Sequence, residues 1–107
     1  ITNDDNYKNI LQVKIQKIFK TTPNYLEIDH SIEEGYTMGV FLCFGEMPIH
    51  EHKIEEAFKI KSSSDIDLAI KRYENNESCL IYFSEHKHKI KKKAEQQACK
   101  FALELMD

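Results

Sequence analysis

Three small residues near the C-terminus constrain the fold more than any other feature of this chain. Ala94, Ala98 and Ala102 recur at every fourth position, which places them on one face of a helix. A helix whose buried face is lined by alanine can approach its neighbour closely, because no bulky side chain holds the two apart. Residues 91–106 are therefore predicted to form a helix that lies flat against a sheet. The full apolar stripe of this helix is Ala94, Ala98, Phe101, Ala102 and Leu105.

The N-terminal half of the chain predicts a helix followed by a hairpin. Residues 6–19 carry apolar side chains at helical spacing, and Pro23 lies beyond the expected end of that helix. Residues 26–32 then alternate between apolar and polar side chains, which is typical of a strand with one wet face. Glu33-Glu34-Gly35 supplies a turn, and residues 36–44 predict a second strand. The dry face of the first strand is expected to carry Leu26, Ile28, His30 and Ile32.

The remainder of the chain adds an insertion and a third strand. Residues 46–77 contain a proline, many charged residues and two short stretches of helical spacing, so a helical insertion is expected there. Residues 78–84 are rich in apolar and aromatic side chains and predict the third strand. The expected fold class is α+β, as a single domain over residues 1–107. In it a three-stranded antiparallel sheet packs two helices on one face.

The net charge of −3 argues against a nucleic-acid binder until the positions of the charges are considered. Residues 1–80 contain nine basic and fourteen acidic side chains, whereas residues 86–100 contain six lysines, two histidines and one glutamate. Salt limits the reach of a charge to about 10 Å at moderate ionic strength. The basic segment can therefore attract a polyanion although the chain as a whole is acidic.

Several other functional classes find no support in the sequence. No apolar run of about 18 residues predicts a membrane span, and Cys43, Cys79 and Cys99 lack the even number and close spacing of a disulfide framework. We expect an intracellular protein, of cytoplasm or nucleus, whose cysteines are buried and reduced. Without a Gly-x-Ser-x-Gly nucleophile elbow, no catalytic activity of this chain's own is expected. The pairs His50-Glu51-His52 and His86-Lys87-His88 lack companion ligands, so no metal or other cofactor is expected.

Both ends of the chain resemble one known family. The last helix opens with Lys91-Lys92-Lys93, continues with the spaced alanines and closes with Ala102-Leu103, and it resembles the final helix of double-stranded-RNA-binding domains. The segment Asn6-Tyr7-Lys8-Asn9-Ile10-Leu11-Gln12 looks like the first helix of the same family, and Pro23-Asn24-Tyr25 is similar to the start of its first strand. The opening also resembles the domain that follows the nuclease domain in ribonuclease III enzymes.

This resemblance implies an α-β-β-β-α order and double-stranded RNA as the partner. In the family, lysines at the start of the last helix contact phosphates across the major groove of A-form RNA, while the first helix and a hairpin loop reach the flanking minor grooves. Binding then depends on A-form shape and little on base sequence. The resemblance allows an attached nuclease domain or a homodimer as further partners, and no acidic nuclease signature occurs in this chain. The residues expected to contact RNA are Lys91, Lys92, Lys93, Lys89, Lys87, Gln12, Gln16 and Lys8.

A second hypothesis comes from positions at which the chain departs from the family. Val13 stands where the family has a glutamate, Glu33-Glu34 replaces a Gly-Pro-x-His loop, and Ile90 replaces a capping serine. Glu95 occupies a place where the family often has lysine, and it is expected to point sideways or to pair with Lys91. These departures favour a protein-interaction or dimerisation module that kept the fold and binds RNA weakly or not at all. Its dimer interface would use Ile66, Ile70 and Tyr73 of the insertion.

Overall fold

Helices and strands alternate in the order of an α+β domain. The structure, a computed structural model, describes residues 6–45, 48–74 and 79–106. None of the helices in these ranges has the length and apolarity needed to cross a membrane. The elements are α1 (Asn6–Phe19), β1 (Asn24–Ser31), β2 (Gly35–Phe44), β3 (Phe58–Lys59), α2 (Ser63–Glu74), β4 (Cys79–His88) and α3 (Lys91–Met106), with 3-10 turns at Ile49–Glu51 and Ile54–Glu56.

The sheet is larger than predicted, and it is mixed. Its strand order is β1-β2-β4-β3; β1, β2 and β4 pair antiparallel, whereas the short β3 runs parallel to β4. The prediction of a purely antiparallel, three-stranded sheet is therefore wrong at this edge. The Ile60 amide donates to the Tyr82 carbonyl at 2.9 Å and extends the pairing. A two-residue strand has no sequence period, so only the tertiary structure defines it.

The third long strand also continues four residues beyond its predicted end. Residues 85–88 are polar and resemble a loop in sequence, yet they pair in register with residues 36–39 of β2. Backbone hydrogen bonds to a neighbouring strand hold them extended, whatever their side chains. His86, Lys87 and His88 consequently alternate between the two faces of the sheet, which decides where each can act.

A β-bulge between Glu27 and Asp29 reverses the faces of β1. Leu26 pairs with Gly39, whereas His30 pairs with Tyr36, and these two partners lie on opposite faces of β2. The prediction that Leu26 and His30 share one dry face is thus wrong. Ile32, expected on the same face, lies in the turn with 98% of its surface exposed.

The hydrophobic core lies between one face of the sheet and the helices. Ala94, Ala98 and Ala102 are fully buried, as predicted, whereas Phe101 is 37% exposed and rests against the His86 ring at 5.4 Å. Phe19 of α1 contacts the rings of Phe44 and Phe83, and the insertion contributes buried side chains of its own. The buried core cluster contains Leu11, Ile15, Phe19, Val40, Leu42, Phe44, Ile60, Ile66, Ala69, Ile81, Phe83, Ala98, Cys99, Ala102 and Met106.

Two side-chain hydrogen bonds fix α3 to its neighbours. The buried Ser84 hydroxyl donates to the Ala98 carbonyl, which joins β4 to the middle of α3. The Lys8 amide donates to Oε1 of the buried Gln96 at 3.2 Å, which joins the first turn of α1 to the second turn of α3. The relative positions of the two helices are therefore set by specific bonds as well as by apolar packing.

All three cysteines were predicted to be buried, and the structure describes the burial of two of them, Cys43 and Cys99. Cys99 is fully buried, and burial is the main cause that raises the pKa of its thiol to about 11. Cys43 is half-buried, and burial raises its pKa as well. Neither forms a disulfide with a described residue, while Cys79 enters β4 with its side chain outside the described part of the structure.

Gly35 holds the β1–β2 turn against the end of β4. Its φ of 95° lies in the left-handed region, and a Cβ at this position would come within 2.4 Å of the His88 oxygen and the Lys89 Cα. Gly39 is close to side chains instead, since its Cβ would meet the Phe41 ring at 2.6 Å. A side chain at Gly35 would therefore meet backbone atoms, whereas one at Gly39 would meet side-chain atoms.

We predict that Gly35→Ala lowers the free energy of unfolding by about 3 kcal/mol, because backbone strain and a backbone clash coincide. Gly39→Ala should cost about 1–2 kcal/mol, because the Phe41 ring can shift. Chemical denaturation of both variants measures the difference. Equal costs would contradict the tight approach at Gly35.

Candidate nucleic-acid interface

The start of α3 presents positive charge at a helix N-terminus. Lys91, Lys92 and Lys93 are all exposed. The first amides of a helix have no acceptor within the helix, and its dipole is positive at this end. Charged side chains and backbone amides therefore act in the same direction on an anion placed here.

His88 fixes the backbone just before α3, where Ile90 stands. Its Nδ1 accepts the Ile90 amide hydrogen at 2.9 Å, and the Ala94 amide then donates to the Ile90 carbonyl at 3.0 Å. The histidine therefore orders the residue that enters α3, and the first-turn amides of the helix still face outward for an anion. This bond also requires an unprotonated Nδ1 on His88.

Three of the predicted RNA-contacting lysines, Lys8, Lys87 and Lys91, are paired with carboxylates of described residues. Lys91 lies 3.6 Å from Glu27, and Lys8 lies 3.7 Å from Glu95. The expected pairing of Glu95 with Lys91 is therefore wrong, because β1 brings Glu27 to Lys91 instead. The exposed Lys91–Glu27 pair contributes about 0–1 kcal/mol, so a polyanion can compete for Lys91, whereas the Lys8–Glu95 pair is half-buried.

Lys87 lies away from the other predicted contacts. It is paired with Thr37 across the sheet and points to the face opposite that of His86, whose ring touches α3. Its Nζ donates to the Glu34 carboxylate at 2.8 Å. This hydrogen bond, followed by the charge of Glu34, raises the pKa of Lys87 above its ordinary value. The structure thus separates Lys87 from the cluster at residues 91–93.

Two further lysines, Lys93 of the cluster and Lys89 just before it, are not held by a carboxylate of the described residues. Both are exposed, and neither forms an ion pair with the residues that the structure describes. Lys93 lines a small cavity of about 210 Å³ with His88, Gln96 and Gln97. The amides and the ammonium group give this cavity a polar wall beside the N-terminus of α3.

Lys8 is held at the junction of α1 and α3. Its Nζ lies 4.5 Å from the centre of the Tyr25 ring, in addition to its pairing with Glu95. The Tyr25 hydroxyl is buried near Cys99 and Gln12, and burial is the main cause that raises its pKa. The start of α1 is thereby placed next to the second turn of α3, one turn beyond Lys91–93.

The two glutamines of α1 lie on its surface. Gln12 is half-buried and Gln16 is exposed; with Val13, Lys17 and Thr22 they line a shallow open groove. Val13 is 58% exposed, so an apolar side chain interrupts the polar surface of this helix. The groove offers amide groups for polar contacts and apolar atoms around them.

One aromatic pair of the β1–β2 hairpin was not predicted from the sequence. The rings of His30 and Tyr36 stack with centroids 4.2 Å apart and an interplanar angle of 6°. A usable signal was present, because a hairpin whose turn is centred on Glu33 places residues 30 and 36 opposite each other. The assumption of unbroken alternation in β1 concealed it.

The histidine pairs and the insertion surface take other roles. Within the described ranges, no group of three or more His, Cys, Asp and Glu side chains is arranged to hold a metal ion. Ile66, which the dimerisation hypothesis placed at an interface, is buried in the core, and Ile70 is partly buried against it. The side chain of Tyr73 lies outside the described part of the structure.

The site is a cationic helix N-terminus flanked by a second helix on an α+β domain. No family model, curated protein or solved structure matches this chain. Its function is therefore inferred from the geometry and charge of the site and from the residues that carry the resemblance.

We predict that Glu34→Gln lowers the pKa of Lys87 toward its ordinary value, because the carboxylate that favours the charged amine is removed. A raised pKa means that the pair stabilises the fold at neutral pH and loses this effect as the pH rises through the pKa of Lys87. NMR titration of the lysine side chains measures the shift. Glu33→Gln is the matched control and should leave Lys87 unchanged; equal shifts in both variants would contradict the pairing.

Proposed function

We propose that this domain binds double-stranded RNA by its A-form shape and its phosphates, as the substrate-binding domain of a ribonuclease III-like protein. The observation that supports this most strongly is the run of exposed lysines, Lys91–93, at the N-terminus of α3, beside the first turn of α1. Any cleavage of the RNA would belong to an attached nuclease domain.

The start of α3 supplies the electrostatic part of the binding. Phosphates that approach Lys91–93 meet three ammonium groups and the unpaired amides of the first helical turn. Release of counterions from the RNA then drives association. Because only one region of an acidic domain is basic, the duplex is oriented as it approaches.

The carboxylates near the lysines set the strength of this binding. Glu27 and Glu95 must give up their pairings with Lys91 and Lys8, or share them, when a phosphate binds. The exposed Lys91–Glu27 pairing is weak, whereas a duplex carries a dense row of charges. We therefore expect modest affinity that falls steeply as salt increases.

The surface of α1 supplies contacts to the minor groove. Gln12 and Gln16 each have an amide that donates and accepts hydrogen bonds, as a ribose 2′-hydroxyl does. Such contacts distinguish RNA from DNA and depend little on the bases. The hairpin turn contributes less, because Glu33 and Glu34 are exposed there and repel phosphate.

We predict that Lys91→Ala combined with Lys92→Ala reduces affinity for a 20-base-pair RNA duplex at least about tenfold near 100 mM salt. The slope of log affinity against log salt should become shallower by about 2, one for each lost phosphate contact. Fluorescence anisotropy at several salt concentrations measures both quantities. The matched control combines Lys53→Ala with Lys61→Ala, two exposed lysines of the insertion, and should leave the affinity unchanged.

The same titrations distinguish the alternative function. Duplex DNA and single-stranded RNA should bind more weakly than duplex RNA, because they lack A-form geometry with 2′-hydroxyls. Unchanged duplex affinity in the Lys91/Lys92 variant would refute the assignment. If no duplex shows saturable binding and the domain sediments as a dimer, the protein-interaction module is the better description.

A further inference from the structure

We propose that the His30–Tyr36 ring pair is a stacking site for one unpaired nucleobase at the end of a duplex. This inference rests on the proposed binding of double-stranded RNA and adds a preference among RNA ends. It concerns two aromatic residues that are not among the contacts predicted from sequence, and the geometry of the sheet edge supports it.

The two rings stand side by side at the edge of the sheet. His30 and Tyr36 are cross-strand partners, and their near-parallel rings are 4.2 Å apart, close to the spacing of neighbouring strands. The rings therefore stand upright on the sheet, with their faces directed along the row of strands. Since β1 is an edge strand, the face of the His30 ring opposite Tyr36 is directed away from β2 and out of the sheet.

The outer face of His30 is accessible. The residue is exposed, and no described side chain other than Tyr36 stacks on its ring. Tyr36 is half-buried, which supports His30 from the inner side. A planar base placed against the outer face would extend an existing two-ring stack, and aromatic stacking of this kind accepts any base.

The stack lies on the same face of the sheet as the phosphate-binding lysines. The bulge in β1 puts His30 on the face of Glu27, which contacts Lys91 of α3 at 3.6 Å. Tyr36 is also the cross-strand partner of His88, whose ring accepts the amide hydrogen of Ile90 just before α3. A nucleotide with its base on His30 therefore has the start of α3 within the reach of its neighbouring phosphates.

Paired bases inside a duplex cannot use this site, because both of their faces are already stacked. An unpaired nucleotide at a duplex end has a free face and can turn toward His30. The ligand class is thus duplex RNA with a short single-stranded overhang. The competing explanation is that the ring pair only stabilises the hairpin, as cross-strand aromatic pairs do.

The test compares a blunt 20-base-pair RNA duplex with duplexes that carry one unpaired 2-aminopurine nucleotide, at the 3′ end in one and at the 5′ end in the other. The wild-type domain should bind one overhang duplex about fivefold more tightly than the blunt duplex and quench the 2-aminopurine fluorescence. His30→Ala should abolish the preference and the quenching while it leaves affinity for the blunt duplex unchanged. His30→Phe should retain both.

The controls separate stacking from folding. His50→Ala removes an exposed histidine of the insertion and should behave as the wild type. Thermal unfolding of each variant shows whether the hairpin is weakened. If His30→Ala reduced binding of blunt and overhang duplexes equally, the pair would have a structural role and the inference would be overturned.

The outcomes also distinguish this inference from the proposed function. Equal binding of blunt and overhang duplexes by the wild type, with loss of binding in the Lys91/Lys92 variant, overturns the stacking site and leaves duplex binding intact. Failure of the wild type to bind any duplex overturns both.

Discussion

The close packing of α3 on the sheet determines the rest of this structure. Ala94, Ala98 and Ala102 allow the helix backbone to approach the strands, and the Ser84 hydroxyl bonds to a backbone carbonyl that a bulkier interface would keep out of reach. This contact places the N-terminus of α3 over the end of the sheet where β1 and β2 turn. The positions of the lysines, of Glu27 and of the His30–Tyr36 pair relative to one another all follow from it.

Electrostatic compensation within the domain explains how an acidic protein can carry a usable basic surface. Glu27, Glu34 and Glu95 each sit beside a lysine, so the folded domain avoids a large self-repulsion. None of these pairings is deeply buried, so none is costly to rearrange. The arrangement limits non-specific attraction and leaves Lys93 and Lys89 as the more open positive charges. Affinity and selectivity are in this way set by neighbouring acids as much as by the lysines themselves.

Much of the fold could be predicted from sequence, and the exceptions have physical causes. The period of the alanines and of the Leu11, Ile15 and Phe19 series is local, so both long helices and their buried faces were predictable. The bulge after Glu27 is a single extra residue that leaves no trace in the alternation. The extension of β4 and the pairing of lysines with carboxylates depend on residues distant in sequence. The structure brings the predicted residues of α1 and α3 together and places Lys87 on the other face of the sheet, and their contact with RNA stays a prediction.

The short β3 strand has a consequence for the chain's colloidal behaviour. It pairs with Ile81 and Tyr82 in the apolar half of β4, where the edge of the sheet would otherwise be bare. Unprotected margins of this kind template the addition of strands from other molecules, which is a common route to aggregation. The segment between β2 and β4 thus covers part of the edge of β4 and also contributes to the core. A shortened domain without it would expose this stretch of β4 and lose the core side chains of Ile60, Ile66 and Ala69, and both changes favour self-association.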